Sequence, residues 1–463
     1  MGYGRSYDMG VFGSNFGHAV TQNLPVLAAQ SNANSNQFLP AFTLAAGPPV
    51  FAFPTVPANG QLPLAGPNCY LLNTSQCIQP HIRPTTQRLP YVDTWNATVQ
   101  HQVTSTMTLE VTYLGNKGTH GFVGDGPTYN VNQPGLGAGT VQGCPAACAF
   151  VPAVPQVQRR PFYNAFTYSG YTDPTTGLPL TCCFTDQGNY LGNDASSTYN
   201  ALTIKVDKRF SRGLQFLSFY NFSHAYHYDS NFYVDQKSIA YGPDDNLRNH
   251  QWVSNLIYEL PFGKGKQFGG NVGRGVDEAI GGWQVSGTIT WAGGLPWTPG
   301  LSGAVCNLEQ DTGVCRPNKG PGSFHMGAGS FDGATHTVTF FTPVTDVVNN
   351  GIASLPSGNG FSDPGLNNIG NHGYDSFRGP RFFGADASLA KNFPITEQVR
   401  LQFRMDAYNV FNHPVLGFNQ NQGGSGTCID CAGNGKITDI EADASPGSPN
   451  GMRQLQFGLR LTF

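Results

Sequence analysis

The sequence predicts an all-β fold: antiparallel strands that cross a membrane as part of a transmembrane β-barrel, with long loops on one rim and short turns on the other. Three observations predict it. In the closing stretch, Leu455, Phe457, Leu459, Leu461 and Phe463 share one parity. Gln454, Gln456, Arg460 and Thr462 share the other, with Gly458 between them. A period of two is the mark of a strand with one apolar and one polar face, and here it runs to a terminal aromatic that needs apolar surroundings. Charged residues make up only 11% of the chain, against about a quarter in soluble domains, while aromatics reach 12%. Finally, short and long links alternate between the stretches that carry this period, as in barrels of the outer-membrane type.

The composition narrows the class further. No apolar run approaches the ~20 residues of a membrane helix, so only strands that hide their apolar half by alternation fit. The 59 glycines and 33 prolines supply abundant turns and loops. A net charge of −3 gives no basic surface for nucleic acid. The alternative is a soluble propeller or sandwich. Against it stand Lys205, Asp207, Arg400, Arg404, Asp406 and Arg460, which fall on the polar parity. Such charges are costly in a sandwich core but suit a hydrated lumen. Lipid offers no water to free backbone groups, so a spanning sheet must close on itself. The opening Met-Gly-Tyr-Gly-Arg-Ser-Tyr-Asp lacks the pattern of a signal peptide, so the chain is expected to begin partway through a strand, as a single domain over residues 1–463.

Taken in order, the first expected strand runs from Gly2 to Val11. A stretch rich in Asn, Pro and Gly follows, to about Pro90. Tyr91 to Tyr113 reads as a hairpin. Trp95, Ala97, Val99 and Val103 alternate with Asn96, Thr98, Gln100 and Gln102, and Met107, Leu109, Val111 and Tyr113 with Thr108, Glu110 and Thr112. After a loop over about 117–196, Leu202, Ile204 and Val206 alternate with Thr203, Lys205 and Asp207, and the turn Arg209-Phe210-Ser211-Arg212-Gly213 leads to Leu214, Phe216, Tyr220 and Phe222. The third pair is Trp252–Leu260 and Trp283–Trp291. The fourth is Phe383–Leu389 and Val399–Phe411, and the last strand follows a loop over about 413–450. This makes about ten strands. Trp95, Tyr113, Trp252, Trp291 and Tyr408 lie near expected strand ends and suit interfacial girdles. The connection after Leu260 is the weak case, being as long as the loop before Trp252.

The ten cysteines fall in loop sequence in local groups. Cys69 with Cys77, Cys144 with Cys148, Cys306 with Cys315, and Cys428 with Cys431 are disulfide candidates of an oxidising compartment. The neighbours Cys182 and Cys183 bridge only with strain. A zinc reading of Cys428-Ile429-Asp430-Cys431 lacks a second ligand pair in the sequence nearby.

Several phrases carry a family resemblance. They include Tyr91-Val92-Asp93-Thr94-Trp95-Asn96, Tyr113-Leu114-Gly115-Asn116-Lys117-Gly118-Thr119-His120, Leu260-Pro261-Phe262-Gly263-Lys264-Gly265 and Gly294-Leu295-Pro296-Trp297. The most specific are Phe403-Arg404-Met405-Asp406-Ala407-Tyr408-Asn409-Val410-Phe411-Asn412-His413-Pro414 and the terminal Gln456-Phe457-Gly458-Leu459-Arg460-Leu461-Thr462-Phe463. Over nearly its whole length the chain resembles the C-terminal part of an Oar-like TonB-dependent outer-membrane receptor. The resemblance implies a larger barrel of twenty-two strands, a plug domain and energy from the TonB complex, reached only through a plug that this sequence does not carry. It implies a bacterial outer-membrane location, lipid as surroundings, uptake or export of a large or scarce ligand, and Phe463 as the signal read by the barrel-assembly machinery. It also implies that the chain is a fragment. The competing reading is a structural or adhesive surface β-protein that binds partners through disulfide-tied loops.

No nucleophile, phosphate or dinucleotide motif stands in a fitting context, so no catalytic residue, cofactor or metal is assigned and no enzyme is expected. His224 and His227 fall on opposite parities of a strand, and a loop or girdle role outweighs a metal site. Asp244-Asp245 offers hard oxygen ligands that suit calcium, but a plain turn outweighs a cation site as the reading of this pair.

Overall fold

The computed structural model describes residues 1–7, 40–50, 88–123, 192–228, 237–302, 315–327, 331–335, 337–349, 352–365, 368–396, 398–417, 427–437 and 452–463, with short pieces at 81–82, 129–130, 132, 161 and 189–190. Among the described residues, ten strands of six to twenty residues form one antiparallel meander in chain order. They are β1 (Gly2–Tyr7), β2 (Tyr91–Thr104), β3 (Met107–Val123), β4 (Gly192–Ser211), β5 (Leu214–Tyr228), β6 (His250–Glu259), β7 (Trp283–Ala292), β8 (Phe382–Pro394), β9 (Arg400–Tyr408) and β10 (Gln454–Thr462). A short strand, Tyr241–Pro243, adds to the outer end of β5. Among the described residues β1 pairs only with β2, and β10 only with β9.

The register gives the sheet two unlike faces. One row of paired residues on the first face runs Ile204–Tyr220–Trp252–Trp291–Phe383. Another runs Leu214–Tyr258–Val285–Leu389–Met405–Phe457. The opposite face carries Glu110 across from Lys205, Thr108 across from Asp207, and the row Ser286–Ser388–Asp406–Gln456. Trp291 stands eight residues beyond Trp283 on β7, about 26 Å along the strand at ~3.3 Å per residue. That is comparable to the ~25 Å apolar band of membrane barrels. β6, β7, β9 and β10 have 10, 10, 9 and 9 residues, the length a tilted spanning strand needs. β3, β4 and β5 reach 17, 20 and 15 residues and extend past the band.

One rim carries tight connections. Ser105-Thr106 joins β2 to β3, after a bulge between Gln102 and Thr104 that drops Val103 out of the pairing. Arg212 and Gly213 join β4 to β5 with φ of 52° and 80°. Two positive φ values define the primed turn whose twist matches a hairpin. The β6–β7 connection folds around a short helix, α1 (Arg274–Ile280). Lys391 Nζ of β8 donates to Gly281 O, and Trp283 Nε1 donates to Ala279 O at 3.0 Å. The weak case of the sequence reading is thus a compact tie on the short-turn rim. Its length goes into a helix fastened to β7 and β8, not into a free loop.

Several sequence boundaries are corrected. β3 extends to Val123 and β4 begins at Gly192, so residues placed in a loop are strand. Lys117, Gly118 and Thr119, expected in the loop, therefore pair with β4, and His120 is bulged out of the register with a φ of 56°. Trp95 and Tyr113 lie well inside their strands, with the Trp95 indole over Gly115, where a Cβ would meet Nε1 at 2.3 Å. Tyr408 shares the parity of Arg404 and Asp406 and belongs to the polar face, so it is no girdle residue. β1 is described from Gly2 to Tyr7, and the rest of its expected length lies outside the described residues.

Candidate functional site: a polar barrel face under a folded loop cap

On the polar face, cross-strand hydrogen bonds hold short side chains in place. Thr288 Oγ1 donates to Asn255 Oδ1 at 2.7 Å, and Thr203 Oγ1 donates to Asn221 Oδ1 at 2.9 Å. Thr98 and Thr112 bond at 3.0 Å. Arg404 Nε donates to Asp406 Oδ1 at 2.7 Å and to Ser388 Oγ at 3.2 Å. A concavity of about 290 Å³ opens here, lined among others by Asn255, Thr288, Asp386, Arg404, Asp406 and Tyr408. It offers fixed donors and acceptors of both charges along a wall. Such a surface contacts a hydrated solute without holding it at one point, the property of a lumen.

At the long-loop rim three connections fold together into a cap with its own core. Trp297 stacks on Phe341 with ring centroids 5.7 Å apart and lies 5.2 Å from Phe377. Phe324 packs on Phe361 at 4.9 Å. Trp297, Phe361 and Ile429 are 1%, 0% and 0% exposed. Backbone bonds join the β7–β8 and β9–β10 connections: Ile429 N donates to Gly300 O at 2.9 Å, Val344 N to Ile429 O at 2.7 Å, and Phe340 N to Gly435 O at 2.7 Å. Asp430 accepts from Ser302 N and Oγ, both at 2.8 Å. The β5–β6 connection joins through Arg378, which donates to Leu247 O at 3.1 Å and Asn249 Oδ1 at 2.9 Å, and through Arg316, which donates to Ile239 O. Two titrating groups of the cap are displaced furthest. Burial, then the charges of Asp430 and Asp363, push the Asp346 carboxyl up to about 6. Burial, then Lys319 and Arg316, push His372 down to about 4.

The cysteine candidates divide. A disulfide joins Cys428 and Cys431, whose Cα atoms are 5.4 Å apart. Cys315 is buried in the cap core and disulfide-bonded. Cys69, Cys77, Cys144, Cys148, Cys182, Cys183 and Cys306 lie outside the described residues. Phe463 stands one residue past β10 and is 93% exposed. Asp430 lies between the bonded cysteines, and a disulfide leaves no thiolate for zinc. The sequence reading missed the cap. It also set apart His227, Asp244 and Asp245, which the fold brings together. The only sequence signal for that grouping was the Asp-Asp pair in a turn phrase.

An apolar face with aromatic bands, a polar face with paired charges and a meander of spanning length define a membrane β-barrel protein. The chain belongs to the outer membrane beta barrel domain family, whose model matches residues 1–456. Its place is the bacterial outer membrane, and barrels of this kind are typically non-enzymatic. Among solved structures it is distantly similar to the outer membrane transporter YddB from Escherichia coli, at 7% identity and a TM-score of 0.34, over 83% of this chain and 34% of that one. It is also similar to the toluene transporter TodX of Pseudomonas putida, at 10% identity and a TM-score of 0.16, over 69% of this chain and 55% of that one. The ferric-catecholate import receptor Fiu of E. coli matches at 15% identity and a TM-score of 0.18, over 81% of this chain and 40% of that one. The chain thus spans between 34% and 55% of the length of these proteins. No curated protein matches its sequence.

Proposed function

We propose that these strands form part of the barrel wall of a TonB-dependent, Oar-like outer-membrane receptor that moves a large or scarce ligand. The observation that carries this reading is the two-faced meander, with an apolar band outside and a ladder of paired charges and amides inside. The resemblance of the phrases Phe403 to Pro414 and Gln456 to Phe463 supports the Oar-like, TonB-dependent part of this reading. In this reading further strands complete a wider barrel, a plug domain fills it and meets the TonB complex, and the cap lies outside the cell. Lipid surrounds the apolar face, and the assembly machinery reads Phe463.

Placed behind an outer-membrane leader, the chain is expected in the outer-membrane fraction with a gel mobility that shifts on heating. A soluble product without a shift contradicts the barrel reading. In the native host, ligand uptake is expected to disappear when TonB is removed. Uptake that persists unchanged contradicts the receptor reading. The packed, disulfide-bonded cap favours the second reading, an adhesive surface protein, and surface binding with no TonB-dependent uptake would select it.

A further inference from the structure

Three ligand-bearing side chains meet at the outer end of β5. His227 is the next-to-last residue of that strand. The chain then returns as Tyr241–Pro243, setting Gly242 opposite His227. Asp244 N donates to Ala225 O at 3.0 Å, so Asp244 and Asp245 are delivered beside the histidine by the pairing itself. One ring nitrogen of His227 and one oxygen from each carboxylate lie within 4.8 Å of one another. All three residues are half-buried.

Two further features point to a ligand. His227 Nε2 is shut off from solvent and has no hydrogen-bond partner among the described residues, although a buried ring nitrogen is normally satisfied. The carboxylates are held by the turn and keep acceptor capacity. Asp244 Oδ1 accepts from Asn246 N at 2.9 Å and Asp245 Oδ1 from Asn246 Nδ2 at 2.8 Å. An ionised carboxylate has about four lone-pair sites, so these bonds orient the groups without saturating them.

We propose that His227, Asp244 and Asp245 bind a divalent transition-metal ion of the zinc class. Calcium takes oxygen ligands only. One imidazole nitrogen with two carboxylate oxygens is a donor set that zinc accepts. Three protein ligands leave a fourth position for water or for a donor atom of a passing solute. The ion would fasten the end of β5 to the connection that supports the cap, since Gly242 presses on Tyr374, where a Cβ would meet its carbonyl oxygen at 2.5 Å. This proposal does not depend on the receptor reading.

The test uses the tag-free, oxidised full chain refolded in detergent and titrated with zinc chloride by calorimetry. One zinc site is expected. H227A, D244N and D245N should each weaken it at least tenfold, and Asp332→Asn, in a separate turn, should leave it unchanged. No zinc binding by the wild type, equal binding by H227A, or calcium binding as tightly as zinc overturns the proposal. The heat-dependent gel shift checks that each variant is folded. Should H227A not fold, the cobalt spectrum of the wild type decides. Bands of a nitrogen and oxygen site support the proposal, and a thiolate charge-transfer band overturns it.

Discussion

Phe457 and Gln456 stand on opposite faces of β10, Phe457 on the row of Met405 with its ring 6.4 Å from Phe403, Gln456 on the row of Ser388 and Asp406. A lysine at 457 would bring its charge to lipid near the middle of the band, at a cost of roughly 2–4 kcal/mol, and one at 456 would meet the hydrated side at much less. Equal losses in a reversible folding assay would contradict the register. In the cap, two single groups act in opposite senses with pH. The Asp346 carboxyl, pushed up to about 6, holds its proton in the folded state where the unfolded chain, near ~3.9, has lost it. The cap therefore loses stability as pH rises through that window. His372, pushed down to about 4, stays neutral where the unfolded ring, near ~6.5, takes a proton, so stability is lost as pH falls through that window. Both groups keep solvent contact, so screening limits each effect to the order of 1 kcal/mol. D346N should remove the loss on the rising side and H372Q that on the falling side, read as cap proteolysis rates between pH 4 and 7.

At the scale of elements, the cap and the sheet differ in how far the sequence revealed them. The spanning strands were legible because one face meets lipid and the other water, so alternation is imposed on every residue, as along Val399 to Asp406. Where both parities become polar, as in Gly115-Asn116-Lys117-Gly118-Thr119, pairing continues without a hydrophobic signal, so the end of β3 was placed too early and the start of β4 too late. The cap was not legible at all. Its core residues Trp297, Phe341 and Phe361 stand far apart along the β7–β8 connection and Ile429 comes from the β9–β10 connection, and its strands are two or three residues long. No period can build up over such lengths, and the turn residues around them read as loop. The turn before Leu214 was legible, because glycine there has a local cause, but it was read as five residues from Arg209 to Gly213, whereas strand continues to Ser211 and Arg212-Gly213 alone make the turn. The cap is nonetheless a packed unit, and Trp297→Ala should remove about 3–5 kcal/mol from it. The expected result is fast proteolysis within the β7–β8 connection with the heat-dependent mobility of the sheet unchanged. Loss of the mobility shift as well would mean that cap and sheet fold as one.

For the whole molecule the decisive feature is the pair of sheet edges. The strands from β2 to β9 have hydrogen-bonded neighbours on both sides, whereas β1 and β10 each have one among the described residues, and every residue described in both is exposed. Along an edge strand, alternate backbone N–H and C=O groups point away from the only neighbour. In water such an edge invites pairing with another chain, and in lipid each free group costs several kcal/mol. Local opening at these edges should therefore need far less free energy than opening of β7, held between β6 and β8. Hydrogen exchange on the chain refolded alone in detergent tests this directly. The outward amides of β1 and β10 should exchange at least a hundredfold faster than those of β7. Neighbouring barrel strands supplied in the same polypeptide should slow both edges together, because each edge then gains its second partner. If β10 in the isolated chain is already as protected as β7, its edge is covered, by β1 or by a second copy, and cross-linking at low and high protein concentration separates those two arrangements.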